Sequence, residues 1–286
     1  MDQQCHNAMQ EIDNVQINFD ANGLLLLNVA LALVMFGVAL GITINDFKNL
    51  FKQPKIILAG ILSQFFLLPL LTFGLVVLLE PEPSIALGMI MVAACPGGNI
   101  SNFMTHLAKG NTALSISLTA CATFFALFMT PFNFQFYGNL YEPTSSILKT
   151  INLDFFELVK VVILILGIPL ICGMYIRYSR ERIALRLSKL LKPISIFVFL
   201  IIVVVALLNN MDIFFEHIHY VFFIVLGHNF LALLLGYTIA RFFNLSLRDQ
   251  KTLAIETGIQ SSGLGLLLIF TFFNGLVGRA ILGEFW

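Results

Sequence analysis

Stretches of about 20 apolar residues recur along this chain, each long enough as a helix to cross a bilayer's hydrocarbon core, and nothing else in the sequence constrains the fold as much. They read as spans at 24–44, 56–79, 84–108, 111–131, 157–177, 193–209, 218–243 and 250–274, with a ninth beginning near Leu276 and cut off at Trp286. Only 11% of the 286 residues are charged and 58% are hydrophobic. A soluble domain carries about 25% charged residues, because its surface must stay in water. The solvent of this chain is lipid, and the expected fold class is an all-α integral membrane protein.

The 16 basic and 16 acidic residues cancel in sum but not in place. Lys48, Lys52, Lys55, Lys109, Arg177, Arg180, Arg182, Arg186, Lys189, Lys192, Arg241, Arg248 and Lys251 fall on one side of the alternating spans, 13 of the 16. Asp2, Glu11, Asp13, Asp20, Glu80, Glu82, Glu142, Asp212 and Glu216 fall on the other. The bias of lysine and arginine toward cytoplasmic loops then places the N-terminus outside. The expected location is the plasma membrane, or the inner membrane of a bacterium. The basic stretch 178–192 reads as an ordinary cytoplasmic connection, not an amphipathic lipid-binding helix. No basic face is left over for nucleic acid. Residues 1–23 are polar and acidic, with no basic region ahead of an apolar core, so no cleaved signal peptide is expected. Cys5, Cys95, Cys121 and Cys172 are scattered and read as packing residues, not as a disulfide or a metal site.

Two spans are interrupted. In AACPGGNISNFMTHLAKG (93–110), Pro96 removes a donor and Gly97–Gly98 favour non-helical torsions, while Asn99, Ser101 and Asn102 place side-chain oxygens at membrane depth. In AIETGIQSSGLGLLL (254–268), Glu256 is followed by Thr257, Gly258, Gln260, Ser261, Ser262, Gly263 and Gly265. Irregular backbone inside a bilayer must be buried in protein or line a cavity, since unpaired peptide groups cost several kcal/mol in lipid. A carboxylate at the bilayer centre costs about 2.5–3.5 kcal/mol on insertion scales. No lysine or arginine lies at comparable depth in another span, so a bound cation is the economical partner for Glu256. The other reading is a protonated structural glutamate hydrogen-bonded to its neighbours. Ser115 and Thr119 share one helix face just after the first break, and Gln64 sits in the middle of the second span. With Asn102 and Glu256 they make an oxygen set of the kind hard cations require.

With 157–177 unmatched, spans one to four pair in order with spans six to nine in opposite direction, and the interruptions fall at corresponding positions. That is an inverted-topology repeat with broken helices, the pointer to a secondary transporter whose site lies near the midplane. The expected organisation is a polar N-terminus (1–23), a first repeat (24–140), a connecting span with the basic loop (141–192) and a second repeat (193–286). An enzyme is not expected and no catalytic residue is assigned. His217 and His219 lie at a helix end, His228 stands alone on the following span, His106 sits at an interface, and no HExxH pair exists. A channel fits poorly, because a single glutamate without a ring of repeats makes a weak selectivity filter. Proton coupling through Glu256 remains open. The sequons at Asn99 and Asn244 fall at membrane depth or the cytoplasmic edge and are discounted. Most of the 29 phenylalanines read as lipid-facing or packing side chains.

CPGGNISN followed by ETGIQSSG resembles the bile acid:sodium symporter family, with VMFGVALGI in the first span and QPKIILAGILSQFFLLPL in the second adding to the likeness. The resemblance implies a core domain in which two broken helices cross at their breaks, a separate panel domain, and two sodium ions behind the crossover. These ions, and no other metal or cofactor, would drive uptake of bile acids or other organic anions by alternating access. On matching positions, one sodium site would be Ser101, Asn102, Ser115, Thr119 and Glu256. The other would use the Gln64 and Gln260 side chains, Glu256, and backbone oxygens at Thr257 and Ile259. Asn99 and Ser261 would face the substrate cavity, and Ser261 stands where some relatives carry asparagine. The resemblance also implies a complete last helix, whereas the chain holds about ten residues of that span, a rise of about 15 Å. The expectation is a C-terminally truncated chain, which leaves open one that binds sodium without transporting. The anion, the sodium stoichiometry and the oligomeric state are not given by the sequence.

Overall fold

The computed structural model describes residues 52–150, 154–208 and 211–261, together with 29, 32–37, 39–45, 48, 264, 265 and 268. Residues 1–23, the start of the first span and the ninth span lie outside the described residues. Those described form helices and no strand: α1 (Pro54–Leu79), α2 (Pro83–Ala94), α3 (Asn99–Leu107), α4 (Thr112–Leu140), α5 (Glu142–Thr150), α6 (Phe155–Ser179), α7 (Glu181–Leu208), α8 (Met211–Phe242) and α9 (Leu247–Gly258). Among them α1, α4, α6 and the Phe222–Phe242 part of α8 are long and apolar enough to cross a membrane. The chain is an all-α, multi-pass membrane protein.

Three elements differ from the expectation. The fourth span, expected to end at 131, continues as α4 to Leu140, with Pro131 inside the helix. Stretch 178–192, expected as a connection, is helical from Glu181 and runs without a break through Pro193 into the next span. It is rich in Leu, Arg and Lys, strong helix formers, and holds no glycine. The segment after α4 forms the short helix α5, whose Thr144 hydroxyl donates to the carbonyl of Gly138 at 2.6 Å.

Helix α2 lies at the centre. Every residue from Ser84 to Ala94 is buried, as expected of a helix surrounded by protein on all sides. Around it the buried core gathers Phe65, Phe134, Leu158 and Leu166 from α1, α4 and α6. Helix α4 divides its surface sharply. Phe124, Phe128, Phe132 and Phe136 recur every fourth residue along an outward-facing stripe, while Ser115, Thr119 and Thr123 are buried inward. The adjacent Phe65 and Phe66 of α1 divide likewise: Phe65 is buried and Phe66 faces out.

Helices α8 and α9 approach so closely that a Cβ on Gly236 would stand 2.7 Å from the carbonyl oxygen of Leu253. Small residues allow such backbone approach in membrane helices, where packing replaces hydrophobic driving force. The loop after α3 and the start of α9 are tied together at one end of the molecule. Asn111 Nδ2 donates to Asp249 Oδ1 at 2.8 Å, its backbone N–H donates to Thr252 Oγ1 at 2.8 Å, and Lys251 Nζ donates to the Ala108 carbonyl at 3.2 Å.

Candidate functional site

The two interruptions meet. Helix α2 ends at Ala94, the chain runs extended through Cys95–Gly98, and α3 starts at Asn99. Helix α9 ends at Gly258, and the strand-like stretch after it pairs antiparallel with the first break through Gly97 and Gln260. Ser261 N–H donates to the Pro96 carbonyl at 2.8 Å, and Gly98 N–H donates to the Ile259 carbonyl at 3.4 Å. Two pieces of irregular backbone thus satisfy one another inside the membrane, where no water would. Thr130 on α4 donates to the Ala94 carbonyl at 2.7 Å, pairing one of the orphan acceptors at the end of α2.

Glu256, on the last turn of α9, is fully buried behind this crossing. Its Oε1 accepts from Ser101 on α3 at 2.7 Å, from Thr119 on α4 at 3.1 Å, and from Ser115 on α4. Thr119 also lies 3.0 Å from Oε2 and 3.3 Å from Asn102 Oδ1. Ser101 reaches the Gly98 carbonyl as well, and Ser115 the hydroxyl of Thr105. Each hydroxyl has one hydrogen to give and two or more acceptors competing for it. The cluster therefore holds more lone pairs than protons, the condition a hard cation relieves. Among the described residues the salt bridge is Arg177–Glu181, far along the chain from Glu256.

Beside Glu256 the second oxygen set is also under-satisfied. Gln64 Oε1 and Gln260 Oε1 are both buried without a hydrogen-bond partner. Gln260 Nε2 donates to the Thr257 carbonyl at 2.6 Å, and the Ile259 carbonyl takes the Gly98 N–H described above. The Thr257 hydroxyl pairs with Ser63 at 2.9 Å, which ties α9 to α1 next to Gln64. The expected ligand residues Gln64, Ser101, Asn102, Ser115, Thr119, Glu256, Thr257, Ile259 and Gln260 are thus brought to one crossing from α1, α3, α4, α9 and the break after α9. Ser261 sits at the crossing, its Cα 3.3 Å from where a Cβ on Gly98 would be. Asn99 starts α3 there, and its side chain lies outside the described residues.

Gln64 owes its place to a defect in α1. Residues Leu62–Leu67 form a π-helical turn, so the N–H of Leu68 pairs with Ser63 instead of Gln64. Pro69, having no N–H, cannot pair with the Phe65 carbonyl in α-helical register. Asn133 on α4 fills that carbonyl, donating from Nδ2 at 2.8 Å. Sequence patterns alone did not single out Ser63, Thr105, Thr130 or Asn133. Pro69 four residues after Phe65 was the available signal, since it announces a carbonyl in need of a donor.

The remaining candidates named from the amino-acid pattern fall elsewhere. His228 does not stand alone but is buried against Thr72 on α1. His106 is exposed near the end of α3. The side chains of His217 and His219, and Cys5, lie outside the described residues. Cys95 and Cys121 are buried as expected, whereas Cys172 is exposed, because α6 turns that face outward together with Ile168 and Ile171.

Residues 28–217 match the model of the sodium bile acid symporter family. The chain is 32% identical over 251 residues to a sodium-dependent transporter of Bacillus subtilis, covering 87% of this chain and 75% of that one. It is 29% identical over 241 residues to a chloroplastic sodium/metabolite cotransporter of Arabidopsis thaliana, covering 84% of this chain and 58% of that one. Against the human ileal sodium/bile acid cotransporter it is 30% identical over 243 residues, covering 83% and 67%. With a family match over most of its length and relatives alike along more than four fifths of it, this chain belongs to the sodium bile acid symporter family.

Proposed function

We propose that the protein is a secondary transporter that couples sodium binding at the crossing to uptake of an organic anion by alternating access. The observation that carries this reading is the buried Glu256 carboxylate, ringed by Ser101, Ser115 and Thr119 hydroxyls with no cationic side chain paired to it among the described residues. One sodium ion is assigned to Ser101, Asn102, Ser115, Thr119 and Glu256. A second is assigned to Gln64, Gln260, Glu256 and the carbonyls of Thr257 and Ile259, where the two orphaned glutamine oxygens supply neutral ligands. Asn99 and Ser261 are assigned to the anion, beside the N-terminus of α3, whose dipole favours negative charge.

The coupling follows from where the ligands come from. Each ion joins helices that are separate in sequence, so it binds best when the crossing is assembled in one arrangement. An ion that prefers one conformational state raises the affinity of any second ligand that prefers the same state. The relatives' names place bile acid, organic anion and metabolite transport in this family, and a bile acid is the first anion to test. The core and panel domains, the inverted repeats and an N-terminus outside the plasma membrane complete the proposal.

The test is thermal unfolding of the purified protein in sodium against potassium at equal ionic strength, with Glu256→Gln beside it. A site filled at 100 times its dissociation constant adds about 2.7 kcal/mol. Sodium-specific stabilisation that Glu256→Gln removes, with sodium-driven taurocholate uptake in liposomes, supports the reading. Equal stability in both salts for a well-folded protein overturns sodium coupling, and a pH gradient driving uptake in its place assigns the carboxylate to proton transfer.

A further inference from the structure

A second constellation of charge lies away from the crossing. Gly173 on α6 packs so tightly on the first span that a Cβ there would stand 2.5 Å from Ala39 Cβ. That contact holds the end of the first span over the end of α6, and the two enclose a cavity of about 290 Å³. Thr43, Asn45, Lys48, Arg177, Tyr178 and Glu181 line it. Two cations face one carboxylate, and the carboxylate does not occupy the whole guanidinium. Arg177 Nη2 pairs with Glu181 Oε1 at 3.1 Å, while Nη1 is buried without a hydrogen-bond partner. A buried charged donor left unpaired costs more than a neutral one, and a guanidinium presents its N–H groups as a planar fork suited to phosphate.

We propose that this cavity binds the phosphate group of an anionic phospholipid, with Arg177 Nη1 and Lys48 as its donors. The surface leading to it argues for a lipid over a soluble phosphate. Ile171, Tyr175 and Tyr178 follow at helical spacing on α6 and are 68%, 68% and 77% exposed, a continuous apolar face running from the cavity along the helix. A headgroup seated on Arg177 would lay an acyl chain along that face. The position fits as well: Arg180 and Arg182, which flank Glu181 in the chain, are both exposed, among the basic residues that attract anionic headgroups. Nothing here draws on Glu256 or on the sodium assignments.

The test uses the full chain in detergent and native mass spectrometry to count retained lipid. Wild-type protein is expected to retain phosphatidylglycerol in preference to phosphatidylcholine. Arg177→Gln is expected to weaken that retention about tenfold, the worth of one charge-assisted hydrogen bond, and Lys48→Gln to weaken it less. Helix content by circular dichroism and sodium-dependent stability should be unchanged in both variants, which separates loss of the site from loss of the fold. Inorganic phosphate competing phosphatidylglycerol off identifies the phosphate as the recognised group. Phosphate binding at Arg177 without any preference for phosphatidylglycerol overturns the lipid assignment in favour of a soluble anion. Equal retention of the two lipids, or retention indifferent to both substitutions, overturns the site.

Discussion

A Cβ placed on Gly97 would stand 2.7 Å from Glu256 Oε2 and 2.9 Å from the Glu256 carbonyl oxygen. The first break is thus glycine at this point because a carboxylate from the other broken helix occupies the space. The same Cβ would lie 3.7 Å from Gln64 Nε2, so three elements converge on one glycine. Gly97→Ala removes no ligand but pushes the carboxylate off its hydroxyl partners. It is expected to lose sodium-specific stabilisation while keeping its helix content, read by thermal unfolding in the two salts and by circular dichroism. Unchanged sodium stabilisation in Gly97→Ala would separate the ion from this carboxylate.

Asn133 and Pro69 form a testable pair. Asn133→Leu removes the donor to the Phe65 carbonyl and is expected to cost about 1–3 kcal/mol, the penalty of a buried polar group left without a partner. Pro69→Ala restores an N–H four residues after Phe65, so the double variant should be destabilised less than the two single effects add to. Strict additivity in chemical denaturation would show that the two residues do not share that carbonyl.

Glycines of α1 and α8 should respond oppositely to alanine. At Gly236 the added methyl meets the backbone of α9 at 2.7–2.8 Å, an overpacking expected to cost about 1–3 kcal/mol. At Gly74 nothing lies within 4 Å, so Gly74→Ala should stabilise by about 0.5–1 kcal/mol through lower chain entropy alone. Melting temperatures of the two variants moving in the same direction would contradict the close docking of α8 on α9.

The Thr72 hydroxyl lies within hydrogen-bond reach of both the Leu68 carbonyl, at 2.8 Å, and His228 Nε2, which ties α8 to α1. Thr72→Val keeps the shape and removes the hydroxyl partner of His228, at an expected cost of about 1–3 kcal/mol. Thr238→Val is the control: its exposed hydroxyl bonds back to the Leu234 carbonyl at 2.7 Å, and its loss should change stability little. Equal effects of the two substitutions would rule out a stabilising Thr72–His228 link.

Much of this was legible in the chain itself. Lipid as solvent, helical spans and the two interruptions all follow from local composition, because a bilayer enforces span length and forbids unpaired backbone. Glu256 announced itself as a carboxylate in an apolar run, and Ser115 and Thr119 as a pair on one face. The helix Glu181–Leu208 shows the limit of such patterns, since a basic stretch with good helix formers is a loop by charge and a helix by propensity. What the sequence left open was which oxygens meet. Ser63 joins Thr257 across 194 positions and Asn133 joins Phe65 across 68, contacts that no local pattern encodes. Only the crossing of the two breaks decided that Gly97, Gln64 and Glu256 share one space, because two interrupted helices can pair their free backbone groups in lipid only by placing their breaks side by side.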